Sequence, residues 1–257
     1  MALDILLAVY AVLTGLIVGS YLNVVIHRLP RGASTVLPRS RCPSCGAPIR
    51  ARDNLPLLSF LLLGGRCRSC GMRIAWRYPL VELASALLFL GAVLRWGLTG
   101  QALVAVLFGC AMLALAAIDV EHYVLPDRIT LPGTLVGLAL QPWNPAVSTQ
   151  SALTAAAGGG VFLLTVSWLW FLLRHEEGMG LGDVKMLAMI GAFLGLAGLA
   201  VTLFFAFFTG AVAGLVLIAV KGGGMKTRLP FGAFLGLAAL FALFWGRPLA
   251  DFYLSLL

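Results

Sequence analysis

The chain has 257 residues, 61% hydrophobic and only 11% charged, with a mean hydropathy of +1.00. Soluble domains carry about 25% charged residues, so a soluble enzyme, a disordered tail and a small disulfide scaffold are excluded, and the long apolar runs point to a bundle of transmembrane helices. The net charge of +8 does not indicate nucleic acid, because ten arginines in residues 28–78 face one acid, Asp53, leaving that segment at +9 and the remainder at −1. A basic loop between spans is the positive-inside signal and puts this loop in the cytoplasm. Anionic lipid headgroups are its expected electrostatic partners.

In chain order, the first span is predicted at residues 4 to about 26. The stretch before it, MALD, has no Lys or Arg, unlike the basic start of a cleavable signal peptide. An uncleaved anchor with its N-terminus outside is therefore expected. After the arginine-rich loop, spans are predicted at roughly 79–97, 101–118, 129–142, 152–173, 184–198, 199–220 and 231–247, each near the ~20 residues a bilayer needs. Lys221, Lys226 and Arg228 mark a second cytoplasmic loop, which agrees with about eight spans starting outside. The fold class is an all-α polytopic membrane protein with a small cytoplasmic zinc-ribbon-like loop domain. Its parts are a first transmembrane helix at 1–27, a four-cysteine zinc-binding domain at 28–78 and a transmembrane domain of about seven helices at 79–257. The heptapeptide GAFLGLA occurs at 191–197 and again at 232–238. The pairs Gly15/Gly19, Gly191/Gly195, Gly210/Gly214 and Gly232/Gly236 have the spacing that permits close helix approach in lipid.

The loop carries CPSCG at 42–46 and CRSCG at 67–71, so Cys42, Cys45, Cys67 and Cys70 form two Cys-x-x-Cys knuckles separated by 21 residues. Four thiolates in paired knuckles suit tetrahedral Zn²⁺. Two disulfides are the rival reading, disfavoured in a reducing cytoplasm. Four protein ligands leave no open coordination position, so the metal is expected to fold the loop. Cys110, in an apolar span, is expected to be core.

Of ten acids, Glu82, Asp119, Glu121, Asp127 and Asp183 abut or enter apolar segments, where ionisable groups are costly and are functional candidates by default. Asp183 follows Gly180-Leu181-Gly182 and opens the sixth predicted span. It reads either as a helix N-cap or as a group facing a wet cavity. Asp119 ends the third span, where a helix C-terminus disfavours negative charge. Two carboxylates from different helices at one depth suggest an aspartyl dyad that activates water for peptide hydrolysis. The helix-end argument makes Asp183 the base and Asp119 the acid. Lys185, two residues past Asp183, is expected to point elsewhere and anchor at the interface. Glu121 and Asp127 are alternative partners for Asp183, and Asp127 can instead cap the fourth span. Histidines 122 and 175 read as solvated.

With these elements the chain resembles the bacterial type IV prepilin peptidases, a family of Gly-x-Gly-Asp intramembrane aspartyl proteases. The resemblance runs in order through Gly19-Ser20-Tyr21-Leu22-Asn23, the two knuckles, Arg77-Tyr78-Pro79-Leu80-Val81-Glu82-Leu83, Asp119 with Leu125-Pro126-Asp127, Gly180-Leu181-Gly182-Asp183-Val184-Lys185 and Leu229-Pro230-Phe231-Gly232. Ala233 stands where a Pro is expected. The resemblance implies an inner-membrane enzyme that cuts the leader of type IV prepilins or type II secretion pseudopilins at the cytoplasmic face, with Asp119 and Asp183 as the catalytic pair and Gly180, Gly182, Lys185 and Asp127 as supporting motif positions. It also implies methylation of the new N-terminus from S-adenosylmethionine. The run Gly178-x-Gly180-x-Gly182 is only a weak nucleotide-type signal. Glu82 is either a packed structural acid or part of the methyl-donor site. The expected partners are prepilins or pseudopilins and membrane lipids, with no nucleic acid. Two other readings are a proton-coupled transporter with the zinc loop as regulator and a membrane scaffold whose acids are structural.

Overall fold

The structure is a computed structural model that describes residues 2–175, 180–221 and 229–256. Gly178, Lys226 and Arg228, which figure in the loop and glycine-run expectations, lie outside the described residues. The described residues form helices and turns, with two isolated antiparallel bridges, Arg41 to Pro48 and Arg66 to Arg73, one in each cysteine knuckle. Two compact units divide the chain, Met1–Val106 and Leu107–Leu257.

In the first unit, α1 (Ala2–Arg28) and α3 (Arg77–Trp96) are long apolar helices that pack on each other, and the loop between them carries the short α2 (Leu58–Leu62). Asp4 in the first turn of α1 and His27 and Arg28 in its last suit the helix dipole. Gly15 and Gly19 set the approach of the pair. A Cβ at Gly15 would lie 2.7 Å from the Ala86 Cα, and one at Gly19 would lie 2.7 Å from the Glu82 Cα. Asn23 of α1 adds a hydrogen bond from Nδ2 to the Tyr78 carbonyl at 3.0 Å. Without a hydrophobic driving force in lipid, such close backbone packing and polar contact hold helices together.

The second unit contains residues 107–122 of α4 (Gly100–His122), then α5 (Asp127–Ala139), α6 (Thr149–Arg174), α7 (Leu181–Lys221) and α8 (Phe231–Leu254). Its packed centre includes Phe108, Met112, Leu115 and Ile118 of α4, Met186, Leu187 and Ile190 of α7, and Leu235 of α8, all at most 2% exposed. The first GAFLGLA copy places Gly191 against α6, where a Cβ would sit 2.5 Å from the backbone carbonyl of Ala155. The second places Gly236 against α4, 2.9 Å from the Ala116 methyl on the same measure. Gly210 and Gly214 make only ordinary contacts, at 3.9 and 3.5 Å, so that pair does not mediate close approach.

Six of the described helices are long and apolar enough to cross a membrane. All eight expected segments are largely helical, and one of them is short. Residues 129–142 fall largely in α5, which has 13 residues and is about 20 Å long, shorter than the ~30 Å hydrocarbon core. The expected spans 184–198 and 199–220 are two helical halves of α7 that meet at Gly195, whose φ 64° and ψ −172° are non-helical.

That break is chemically provided for. Gln141 Nε2 donates to the Ala192 carbonyl at 2.7 Å and Asn144 Nδ2 donates to the Phe193 carbonyl at 2.9 Å. The Leu196 N–H donates to Ser151 Oγ at 3.0 Å. Irregular backbone at membrane depth is tolerated where protein groups satisfy it in this way. The consequence for the site is positional, since the half of α7 bearing Asp183 is pinned at its far end by side chains from the α5–α6 connection and α6.

Candidate active site and metal centre

Asp119 lies one turn from the end of α4, which stops at His122 because Tyr123 turns left-handed at φ 54°. The side chain is 6% exposed, and its Oδ2 accepts the N–H of Ala233 at 2.9 Å, with the Gly232 backbone adding a smaller contribution. A carboxylate at the C-terminal end of its own helix is thus received by the N-terminal N–H groups of α8, where orphan donors favour an acceptor. Gly232 is required by this approach, because a Cβ there would come within 3.0 Å of Asp119 Oδ2 and 2.8 Å of Leu125 Cδ1.

Asp183 is the third residue of α7 and half-buried. It is not the N-cap. Its side chain folds back on Gly180, engaging that residue's backbone, while its own N–H donates to the Gly180 carbonyl at 3.1 Å. The carboxylate thus supplies one half of a capping box, Gly180 having no side chain for the other, so a structural duty coexists with any chemical one. Asp119 and Asp183 are near enough to interact through their charges. Both carboxylates now meet a helix N-terminus, so the helix-end argument from sequence no longer separates a base from an acid.

Leu125 holds the arrangement together. It is 8% exposed, and a Cβ on Gly182 would lie 3.0 Å from the Leu125 Cβ. One side chain from the connection after α4 therefore wedges between the glycines that open α7 and α8. Pro126 then caps α5 in an extended conformation, with ψ 126°.

Asp127, the first residue of α5, pairs with Lys185 Nζ at 2.7 and 2.8 Å. Lys185 does point away from Asp183, as its helical position requires, and the pair ties α5 to α7. Glu121 is exposed and 3.8 Å from His122, so it is not assembled with Asp183. His175 is exposed and Cys110 half-buried. With side chains 33% and 53% exposed, the Lys185–Asp127 pair is worth at most about 1 kcal/mol. A double-mutant cycle of Lys185→Ala and Asp127→Ala, read by thermal unfolding in detergent, is expected to give a coupling below about 1 kcal/mol. A larger coupling would make the pair a structural strut of the site.

In the first unit the four thiols gather as the spacing requires. The Sγ atoms of Cys42, Cys45, Cys67 and Cys70 all lie within 4.8 Å of one another, and Cys42 Sγ is 3.8 Å from Cys70 Sγ. A tetrahedron with Zn–S bonds of about 2.3 Å has edges of about 3.8 Å, so this donor set fits zinc. Each knuckle closes at a glycine with positive φ, Gly46 at 68° and Gly71 at 71°. The N–H groups of Cys45 and Ser44 donate to the Cys42 sulfur and push its pKa down to about 6, while burial and the neighbouring Cys42 and Cys70 thiols push the Cys45 thiol up to about 11, so one proton is shared within the knuckle. Arg68, inside the second knuckle, donates to Asp53 at 2.7 and 2.9 Å and holds that carboxyl below its usual range.

Glu82 is 8% exposed on α3. Its Oε2 accepts the Leu57 N–H at 2.8 Å, with Ser20 adding a side-chain hydrogen bond. Leu57 has φ 56° and ψ −47°, and the Leu58 N–H reaches the Pro56 carbonyl at 2.6 Å, which is a strained γ-turn. Glu82 is thus a packed, hydrogen-bonded acid. Sequence reasoning missed the wedge of Leu125, the donor at Ala233 and the Gln141, Asn144 and Ser151 contacts at the α7 break. The Leu-Pro-Asp element and Leu229-Pro230-Phe231-Gly232 signalled the first two only as motif positions.

Comparison with known proteins agrees along most of the chain. Residues 13–96 match the family described as Bacterial Peptidase A24 N-terminal domain, and residues 106–215 match the Type IV leader peptidase family. A protein of Pseudomonas aeruginosa named prepilin leader peptidase/N-methyltransferase is 39% identical over 267 residues, covering 95% of this chain and 92% of its own. A Burkholderia pseudomallei (strain 1026b) protein of the same name is 42% identical over 274 residues, covering 96% and 87%. One from Aeromonas hydrophila is 38% identical over 267 residues, covering 95% and 92%. No solved structure matches the chain. The chain belongs to the type IV leader peptidase family.

Proposed function

We propose that this protein is a multi-pass inner-membrane aspartic endopeptidase that removes the leader of type IV prepilins or pseudopilins, with Asp119 and Asp183 as its catalytic pair. The observation that supports the pair is its assembly: two carboxylates from α4 and α7 interact through their charges around Leu125, where α7 and α8 both begin. In this reading one carboxylate takes a proton from water while the other gives a proton to the scissile carbonyl. The gem-diol that forms collapses with breakage of the C–N bond, and the amine leaves with a proton from the pair. In this reading the active site faces the cytoplasm and the N-terminus lies outside, supported by the ten arginines of residues 28–78, a positive-inside signal for the intervening loop. The proton-coupled transporter and scaffold readings find no support in the family to which the chain belongs.

The relatives' names include N-methyltransferase, and we carry that activity to this chain as the second step, with S-adenosylmethionine as donor. Zinc, held by Cys42, Cys45, Cys67 and Cys70, would fold the loop. Glu82 is a candidate for the donor site, and its engagement with Leu57 supports the alternative of a packed structural acid. Glu82→Gln keeps an acceptor but removes the charge. It is expected to speed hydrogen exchange at Leu57 and its neighbours while leaving leader cleavage unchanged. Lost methylation with unchanged exchange would make Glu82 a donor-site residue.

Purified protein, incubated with a prepilin and S-adenosylmethionine, is expected to yield a product short of its leader and heavier by one methylene on intact-mass analysis. A prepilin returned whole by zinc-loaded protein would contradict the assignment. Chelation of the metal is expected to deprotect the amides of residues 41–74 and to leave the protection of α7 and α8 in place. Unchanged protection of the loop after zinc loss would contradict a structural metal.

A further inference from the structure

The loop of the first unit exposes apolar side chains that neither the cysteine centre nor the proposed cleavage uses. On α2, Leu58, Leu61 and Leu62 are 52%, 73% and 75% exposed, and their i, i+3, i+4 spacing puts them on one helix face. Phe60 of the same turn packs against Trp76 in a tilted arrangement, with ring centroids 5.2 Å apart, and Trp76 is itself exposed. An apolar patch of this kind on a folded loop marks an interaction surface.

Its depth is fixed by a hydrogen bond. The Leu57 N–H, immediately before α2, donates to Glu82, the sixth residue of α3, which is about 7.5 Å along the helix from its start. Helix α3 is itself long and apolar enough to span a membrane, and its Leu80 and Leu83 are exposed beside this level. The leucines of α2 therefore continue the outward apolar surface of a span at its cytoplasmic end. Trp76 and Tyr78 stand where aromatic residues gather at membrane interfaces.

The charge around the patch has one sign. Asp53, the sole acid of residues 28–78, is taken up by Arg68, while Arg50, Arg52, Arg66 and Arg73 are exposed. An apolar helical face with a basic surround at interfacial depth matches the chemistry of an anionic bilayer surface.

We infer that α2 is an interfacial helix, seated with Leu58, Leu61, Leu62 and Trp76 among the acyl-chain tops of an anionic leaflet and with the loop arginines on the headgroups. It moors the cysteine centre to the membrane next to α1 and α3. The lipid contact is independent of the peptidase assignment.

The test uses the full-length, zinc-loaded protein in nanodiscs of phosphatidylcholine with phosphatidylglycerol, doped with lipids that carry a photoactivatable diazirine near the ester. Acyl adducts mapped by mass spectrometry are expected on residues 58–62 and on Trp76. The double variant Leu61→Glu/Leu62→Glu is expected to lose these adducts about tenfold, while adducts on Tyr21 of α1, exposed near the same level, stay unchanged and report an intact fold. Labelling of α1 without labelling of residues 58–62 would overturn the inference. So would α2 adducts that survive the double variant. A photo-crosslinker at position 61 that captured added prepilin and no lipid would reassign the surface to the substrate.

Discussion

Asp119→Asn and Asp183→Asn are each expected to lower leader cleavage by about 10³-fold or more, the scale on which losing one member of a cooperating catalytic set acts. The loss is expected to be chemical. An Asn at 119 still offers an oxygen to the Ala233 N–H, and an Asn at 183 still offers one to the Gly180 backbone. Neither changes side-chain size, so the Leu125 wedge and the N-termini of α7 and α8 keep their packing. Zinc content and the thermal transition in detergent are accordingly expected to match wild type. Single-turnover cleavage under saturating enzyme is the measurement, and a variant that cuts at the wild-type rate would remove that residue from the pair.

The second large effect is expected where no chemistry occurs. Gly191 meets the backbone of α6 so closely that a Cβ would lie 2.5 Å from the Ala155 carbonyl and 2.8 Å from the Ala156 nitrogen. Backbone cannot rotate aside as a side chain can. Gly191→Val must therefore push α6 and α7 apart, at the 1–3 kcal/mol or more typical of overpacking. The thermal midpoint is expected to fall by about 5 °C or more. Cleavage is expected to fall with it, since Asp183 rides on the same half of α7. Gly210→Ala is the control, because its new methyl would meet Phe234 at an ordinary 3.9 Å. Equal midpoints for the two variants would contradict the packing account.

What could be read from the sequence, and what could not, follows from the range of each signal. Apolar runs, the loop's charge and the Cys-x-x-Cys spacing are local, and they lead to the helices and to the four gathered thiols. Asp183 after Gly180-Leu181-Gly182, and Asp119 near a helix end, are legible because an acid in an apolar run stands out by cost alone. The glycine pairs are legible as a class and illegible one by one. Gly15/Gly19 and Gly191 mediate close contact, Gly210/Gly214 do not, and Gly195 serves as a break. Two identical heptapeptides thus play different parts, because the partner of each glycine lies far away in sequence. The same distance hides the meeting of Asp119 with Ala233, 114 residues later. It also hides the side chains of Gln141, Asn144 and Ser151 that complete the broken helix. The proton roles assigned from helix ends fail for this reason too, since they count only each acid's own helix.

The most direct test of a shared site is the double variant Asp119→Asn/Asp183→Asn, assayed for leader cleavage by intact mass beside both single variants. If the two carboxylates work as one unit, the double variant loses no more activity than the weaker single variant, because either substitution already disables the pair. Losses that multiplied, or a double variant that still cut, would contradict a dyad built from these two residues.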